Sequence, residues 1–223
     1  MAIAAALSPS ALPAAESHRT WLGLGRLRTF LSGGPLQDNN RGRDGGSRGS
    51  GFCLIAPGEG EMVWAVEPTL VFQGDLKSAA LFAAAAEEPF WLAPISPTAT
   101  FVATLPYDGD PLQPGTTYEQ QLEGFRIDFS PVSSRRFSFQ IMPEGEDRDQ
   151  IDADLAQLDA ELTQAGAATE AIAQARAAFF FERNLTADAL GALFSVAEPS
   201  ADLAALRSAI AESICRQTLP AGE

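Results

Sequence analysis

The groups able to do chemistry in this chain are carboxylates and two cysteines. Asp and Glu number 29 against 15 Lys and Arg, and the 223 residues hold one histidine, His18. A Ser-His-Asp or Cys-His system needs an imidazole base beside its nucleophile. His18 sits in a leader-like N-terminal segment, so the body of the chain has no such base. Lys77 is the only lysine, and neither a Ser-x-x-Lys spacing nor a Walker motif accompanies it. Gly23-Leu-Gly25 lacks the third glycine of a dinucleotide fingerprint. No catalytic residue is nominated, and no cofactor is implied.

Carboxylates alone can support glycoside chemistry when two of them flank one cleft, about 5–10 Å apart. The close pairs Glu59/Glu61, Glu87/Glu88 and Asp108/Asp110 fall in predicted turns, where solvation is their ordinary role. Asp108-Gly-Asp110 and the row Asp147, Asp149, Asp152, Asp154 have the look of calcium-binding oxygen clusters. The second row lacks the glycine at position six and the glutamate at twelve of an EF-hand loop. Asp147 and Asp149 more simply complement a helix N-terminus. No metal site is expected.

Cys53 and Cys215 lie near the two ends of the body. In an exported chain a bridge between them would tie the tail to the β-rich part; otherwise they are small buried hydrophobes. Two cysteines make no closed zinc site. Trp64, Phe72, Phe82, Phe90, Trp91, Phe101 and Phe125 can line a carbohydrate- or peptide-binding face, or can simply be core. Phe90-Trp91, following Glu87-Glu-Pro89, is the pair expected at a surface.

These residues need elements to position them. Short apolar runs start at Phe52, Met62, Thr69, Ala79, Phe90, Ala99, Thr117 and Arg136, with Gly, Pro and Asp turn signals between them. That spacing predicts an antiparallel, immunoglobulin-like β-sandwich over 52–143. Phe137, Phe139 and Ile141 alternate with polar residues, as one half-buried strand should. The Ala79–Ala86 run also fits a helix. After Pro143 the period changes: Ile151, Leu155, Leu158 and Leu162 step by one helical turn. Gly166 is expected to end that helix, a second covers 168–183, Thr186 caps a third and Pro199-Ser200 opens a fourth. The fold class is α+β, with a helical bundle or two helical hairpins over 147–218 behind the sandwich.

Residues 1–50 carry a formal charge of +3 and the remainder −17. The acidic body disfavours nucleic acid as a partner. No apolar run approaches the ~18 residues of a membrane helix, which leaves peripheral association with a membrane open. Residues 1–51 read as a leader-like segment and a flexible Arg/Gly linker. Met1–Leu7 followed by Ser8-Pro-Ser-Ala-Leu-Pro-Ala-Ala15 resembles the exit of a secretory signal peptide, without its basic start. Trp21, Leu22, Leu24, Leu27, Phe30 and Leu31 are spaced for a short docking helix.

Arg41-Gly-Arg-Asp-Gly-Gly-Ser-Arg-Gly49, followed by Cys53 and an apolar strand, resembles a cyanobacterial secreted family of unknown function, the domain of unknown function 928 family. The likeness continues through Glu67-Pro-Thr-Leu-Val-Phe72, Leu105-Pro106 and Pro111-Leu-Gln-Pro-Gly-Thr-Thr-Tyr118. It ends with Phe179-Phe-Phe181 and Asp188-Ala-Leu190. The resemblance implies export to the periplasm or exterior and a sandwich-plus-helices plan, and it supplies no catalytic residue. The functional expectation is a non-enzymatic exported binding or scaffold module engaging another protein. Two alternatives stand beside it. One is a carboxylate-dependent enzyme acting on glycans; the other is an accessory subunit of a membrane-associated assembly, anchored by its N-terminal segment.

Overall fold

A computed structural model of the protein describes residues 52–95, 102–125, 130–134 and 136–216. The leader, the 20–36 helix, the Arg/Gly segment, His18 and Phe101 lie outside these residues. The chain is α+β: β1 Phe52–Ala56, β2 Glu61–Val63, β3 Thr69–Gly74, β4 Leu76–Ala83, β5 Trp91–Pro94, β6 Val102–Pro106, β7 Thr117–Phe125, β8 Pro131–Ser133 and β9 Phe137–Ile141 come first. Helices α1 Glu146–Gln164, α2 Thr169–Glu182, α3 Thr186–Phe194 and α4 Ala201–Arg216 follow.

The strands form two sheets. A three-stranded sheet has the order β1-β3-β6 and is antiparallel throughout. The larger runs β2-β9-β7-β4-β5, with β8 paired to the far end of β7. One pairing departs from the all-antiparallel expectation: β2 runs parallel to β9, with Glu61 opposite Phe139 and Val63 opposite Ile141. The Ala79–Ala83 run is strand, not helix. It lies between β7 and β5, Ala79 facing Leu122 on one side and Ala93 on the other, so both edges of its backbone are bonded.

Apolar sequence pattern explains the layering. On β9, Phe137, Phe139 and Ile141 are buried and the residues between them only half so. β1 and β3 instead bury an unbroken run, Cys53–Ala56 and Leu70–Phe72, which is what a strand covered on both faces requires. From one face Leu54, Leu70 and Phe72 meet Leu76, Ala79, Leu122 and Phe137 of the larger sheet. From the other, Cys53, Ile55 and Val71 belong to a cluster that reaches Leu190, Leu193, Leu203 and Ile210. The small sheet is therefore a middle layer, with a sheet on one side and helices on the other.

The helices complete this layering. α3 packs against α2 and also against β1, β2 and β3, while α4 rests on β1. All of α3 except Ala192 is buried. The β-rich and helical portions, divided near Pro143 in the sequence, share one core across that division. Gly166 ends α1 in the left-handed region, φ +67°, a conformation glycine adopts without a Cβ penalty. Thr186 does not cap α3; it is the first helical residue, after Leu185, and no side chain caps that end. Ser200 does cap α4, its hydroxyl accepting the Leu203 N–H at 3.2 Å. Among the described residues no helix is long and apolar enough to cross a membrane.

Candidate functional site

Phe90 and Trp91 sit where the β4–β5 turn enters the edge of the larger sheet. Phe90 is 48% exposed and its neighbour Leu92 64%, whereas the other large apolar side chains among the described residues are buried or half-buried. The connection from β6 to β7 folds over the same edge. It is fixed to the β2–β3 loop by two backbone bonds, Tyr107 N–H to the Pro68 carbonyl and Leu112 N–H to the Val66 carbonyl, each 2.9 Å. Together these segments enclose a cleft of about 790 Å³ walled by Phe90, Trp91, Tyr107 and Tyr118.

The walls are held by specific contacts. The Trp91 indole packs edge-on to Tyr107 with centroids 5.2 Å apart, and Phe90 lies 5.6 Å from Tyr118. The Trp91 Nε1–H donates to Asp108 Oδ1 at 2.8 Å. The Tyr107 hydroxyl donates to the Asp110 carbonyl at 2.7 Å, and the Tyr118 hydroxyl accepts the Gln113 N–H at 3.0 Å. Burial, then the negative charge of Asp110, pushes the Tyr107 phenol above its usual value. Gly109 lies so close to this phenol that a Cβ there would overlap the ring and hydroxyl. Asp108 and Asp110, read from sequence as a solvated turn, are exposed on the rim of this cleft.

A second cleft, of about 330 Å³, lies between the β2–β3 loop and the helices. Its floor is Asp188, which the sequence reading passed over as a catalytic or binding candidate. Asp188 is buried and accepts the backbone N–H groups of Trp64 and Ala65 at 2.8 Å each. Burial, outweighing those two bonds, lifts its pKa to about 6. Trp64 packs on Phe180 with centroids 5.4 Å apart and donates its indole N–H to Asp152 at 2.7 Å. At the rim Asp159 pairs with Arg176, 2.6 Å apart. Each of these carboxylates is committed to a fixed internal donor. The signal that could have found Asp188 is one acid inside the otherwise apolar stretch Ala187–Phe194.

The remaining predicted residues fall into structural roles. The sulfurs of Cys53 and Cys215 are bonded, with Cα atoms 5.8 Å apart, joining β1 to the last turn of α4. Glu59 accepts from the Ser138 hydroxyl and Glu61 from the Gly58 N–H, both at 2.7 Å. Asp147 and Asp149 stand in the first turn of α1. Asp154 accepts from Arg183 at 2.7 Å, and this bond holds its carboxyl below the usual value. Among the described residues no three His, Cys, Asp or Glu side chains gather as a metal-binding group. Of the aromatic face, Phe72 and Phe82 are core, Phe125 is half-buried in β7 and Trp64 belongs to the second cleft. One Gly-x-Ser-x-Gly spelling occurs, Gly45-Gly-Ser-Arg-Gly49, outside the described residues.

No protein-family model and no curated protein matches the chain. Among solved structures it is similar to the fibronectin(III)-like modules of Clostridium thermocellum CbhA. That likeness has 10% identity and a TM-score of 0.28, over 43% of this chain and 99% of that one. It is also similar to astrotactin-2, a vertebrate-specific, perforin-like membrane protein, at 10% identity and a TM-score of 0.25. There the match covers 75% of this chain and 35% of that one.

Proposed function

We propose that this chain is an exported, non-enzymatic binding module that engages a partner protein at the edge of its larger sheet. In this reading the body is an immunoglobulin-like sandwich with a helical layer on its outer face. The observation that carries it is the exposed pair Phe90 and Leu92 beside an aromatic-walled cleft. Aromatic side chains with an apolar body and a polar tip are the usual anchors of protein interfaces. Export to the periplasm or exterior is supported by the covalent link between Cys53 and Cys215, since disulfides persist in oxidising compartments. The signal-like N-terminus and the resemblance to a secreted family point the same way.

The test is site-specific photo-crosslinking in the producing cell, with the photoreactive residue at position 90 and, as control, at exposed Gln157 on α1. A discrete protein adduct from position 90 alone is expected. Adducts of equal yield from both positions, or from neither, would overturn the proposal. So would turnover of any substrate that is lost on changing one carboxylate of the body.

A further inference from the structure

We infer that the cleft beside Phe90 and Trp91 receives an arginine side chain presented by the partner protein. This rests on the binding reading above and names the chemistry that reading leaves open.

The fold twice builds the same three-part arrangement internally. Arg136 lies over the Phe82 ring, 3.6 Å from its centroid, and pairs with Glu119 at 3.2 Å. Arg183 lies 3.6 Å from the Phe179 centroid and pairs with Asp154 at 2.7 Å. A planar guanidinium suits this arrangement because it stacks on an aromatic face while its edge donates to a carboxylate. Among the described residues, the cleft has the aromatic and acidic parts of this arrangement and no basic one. Trp91 and Tyr107 stand edge to face, Asp108 is fixed by the indole N–H through one oxygen, and Asp110 follows two residues on. Among the described residues, no Lys or Arg lines this cleft.

Charge supports the same occupant. The body from residue 51 onward carries −17, and both carboxylates of the cleft are exposed on its rim. Such a surface attracts a basic segment and repels an acidic one. The indole bond leaves the second oxygen of Asp108 for a guanidinium entering over the ring. Arginine is favoured over lysine because an ammonium is more strongly hydrated and cannot stack.

An NMR titration of the full-length, disulfide-intact, ¹⁵N-labelled chain tests this. The probes are Nα-acetyl-arginine methylamide and its citrulline counterpart, a neutral near-isostere. Trp91 and Trp64 report separately, because their indoles stand in different clefts. Saturable movement of the Trp91 indole, a still Trp64 indole and about fivefold weaker citrulline binding are expected. Asp108→Asn and Asp110→Asn should each shrink that preference, as should added salt. Equal binding of both probes would overturn the cation and leave the partner surface standing on the position-90 crosslink. A Trp91 indole unmoved by either probe would overturn the cleft as a ligand site, again independently of that crosslink.

Discussion

The Asp188 carboxylate takes the backbone N–H groups of both Trp64 and Ala65, so one side chain at the start of α3 ends strand β2 and pins the loop that follows. β2 stops at Val63 because the next two donors are turned toward the helix instead of toward β9. This contact joins the larger sheet to the helical layer.

Asp188→Ala removes the acceptor from two part-buried donors, each worth about 1–3 kcal/mol when left unmade. A loss of about 2–4 kcal/mol in unfolding free energy is expected, measured by urea denaturation. Asp188→Asn keeps one acceptor oxygen and should lose less.

Stability should also depend on the proton at Asp188. Its pKa rises from the ordinary 3.8 to about 6 on folding, so the folded state holds that proton more tightly than the unfolded chain. The stability this supplies is complete below pH 4 or so and disappears as pH rises through about 6. Asp154, held down by Arg183, and Glu123, held down by Lys77, act oppositely and at lower pH, where protonating them costs stability. Denaturation midpoints from pH 4 to 7 should fall with pH in the native chain and lie flatter in Asp188→Asn. Parallel profiles would exclude Asp188 as the source.

The Cys53–Cys215 bond closes a loop with a sequence separation of 162 residues. Replacing both cysteines by serine should lower stability by up to about 5 kcal/mol, chiefly by freeing the unfolded chain. Thermal unfolding with and without reductant checks this, and the reduced native chain should behave like the double variant.

Gly109→Ala places a methyl group against the Tyr107 phenol and should cost about 1–3 kcal/mol, the scale of an overpacked site. The Trp91 indole resonance should shift with it, since Tyr107 supports that ring. An unchanged Trp91 signal would mean that the turn accommodates the methyl group without disturbing the cleft.

Much of this fold was legible residue by residue. The alternation of Phe137, Phe139 and Ile141 marked a one-sided strand, and the step from Ile151 to Leu155 marked the inner face of α1. The double burial of Cys53–Ala56 was written in its unbroken apolar run, although the run alone does not say that helices supply the second cover. The parallel pairing of β2 with β9 was not legible, because it joins short segments far apart in the chain. Phe90 and Trp91 could be singled out by type and flanking turn. Their carboxylate partner Asp108 lies 17 residues away across an unpredicted loop geometry. Asp188 was hidden for the same reason: its donors lie 123 and 124 residues earlier, and only packing brings them together.

The most direct measurement is calorimetric titration of the chain with the protein captured from position 90, comparing Phe90→Ser/Leu92→Ser with the native form. Leu92 is exposed and Phe90 half so against Tyr118, so the double change should cost no more than about 1–2 kcal/mol and leave the chain folded. Stoichiometric binding, weakened at least about tenfold by the double change, is the predicted result. Undiminished affinity in a fully folded variant would contradict the proposed binding edge.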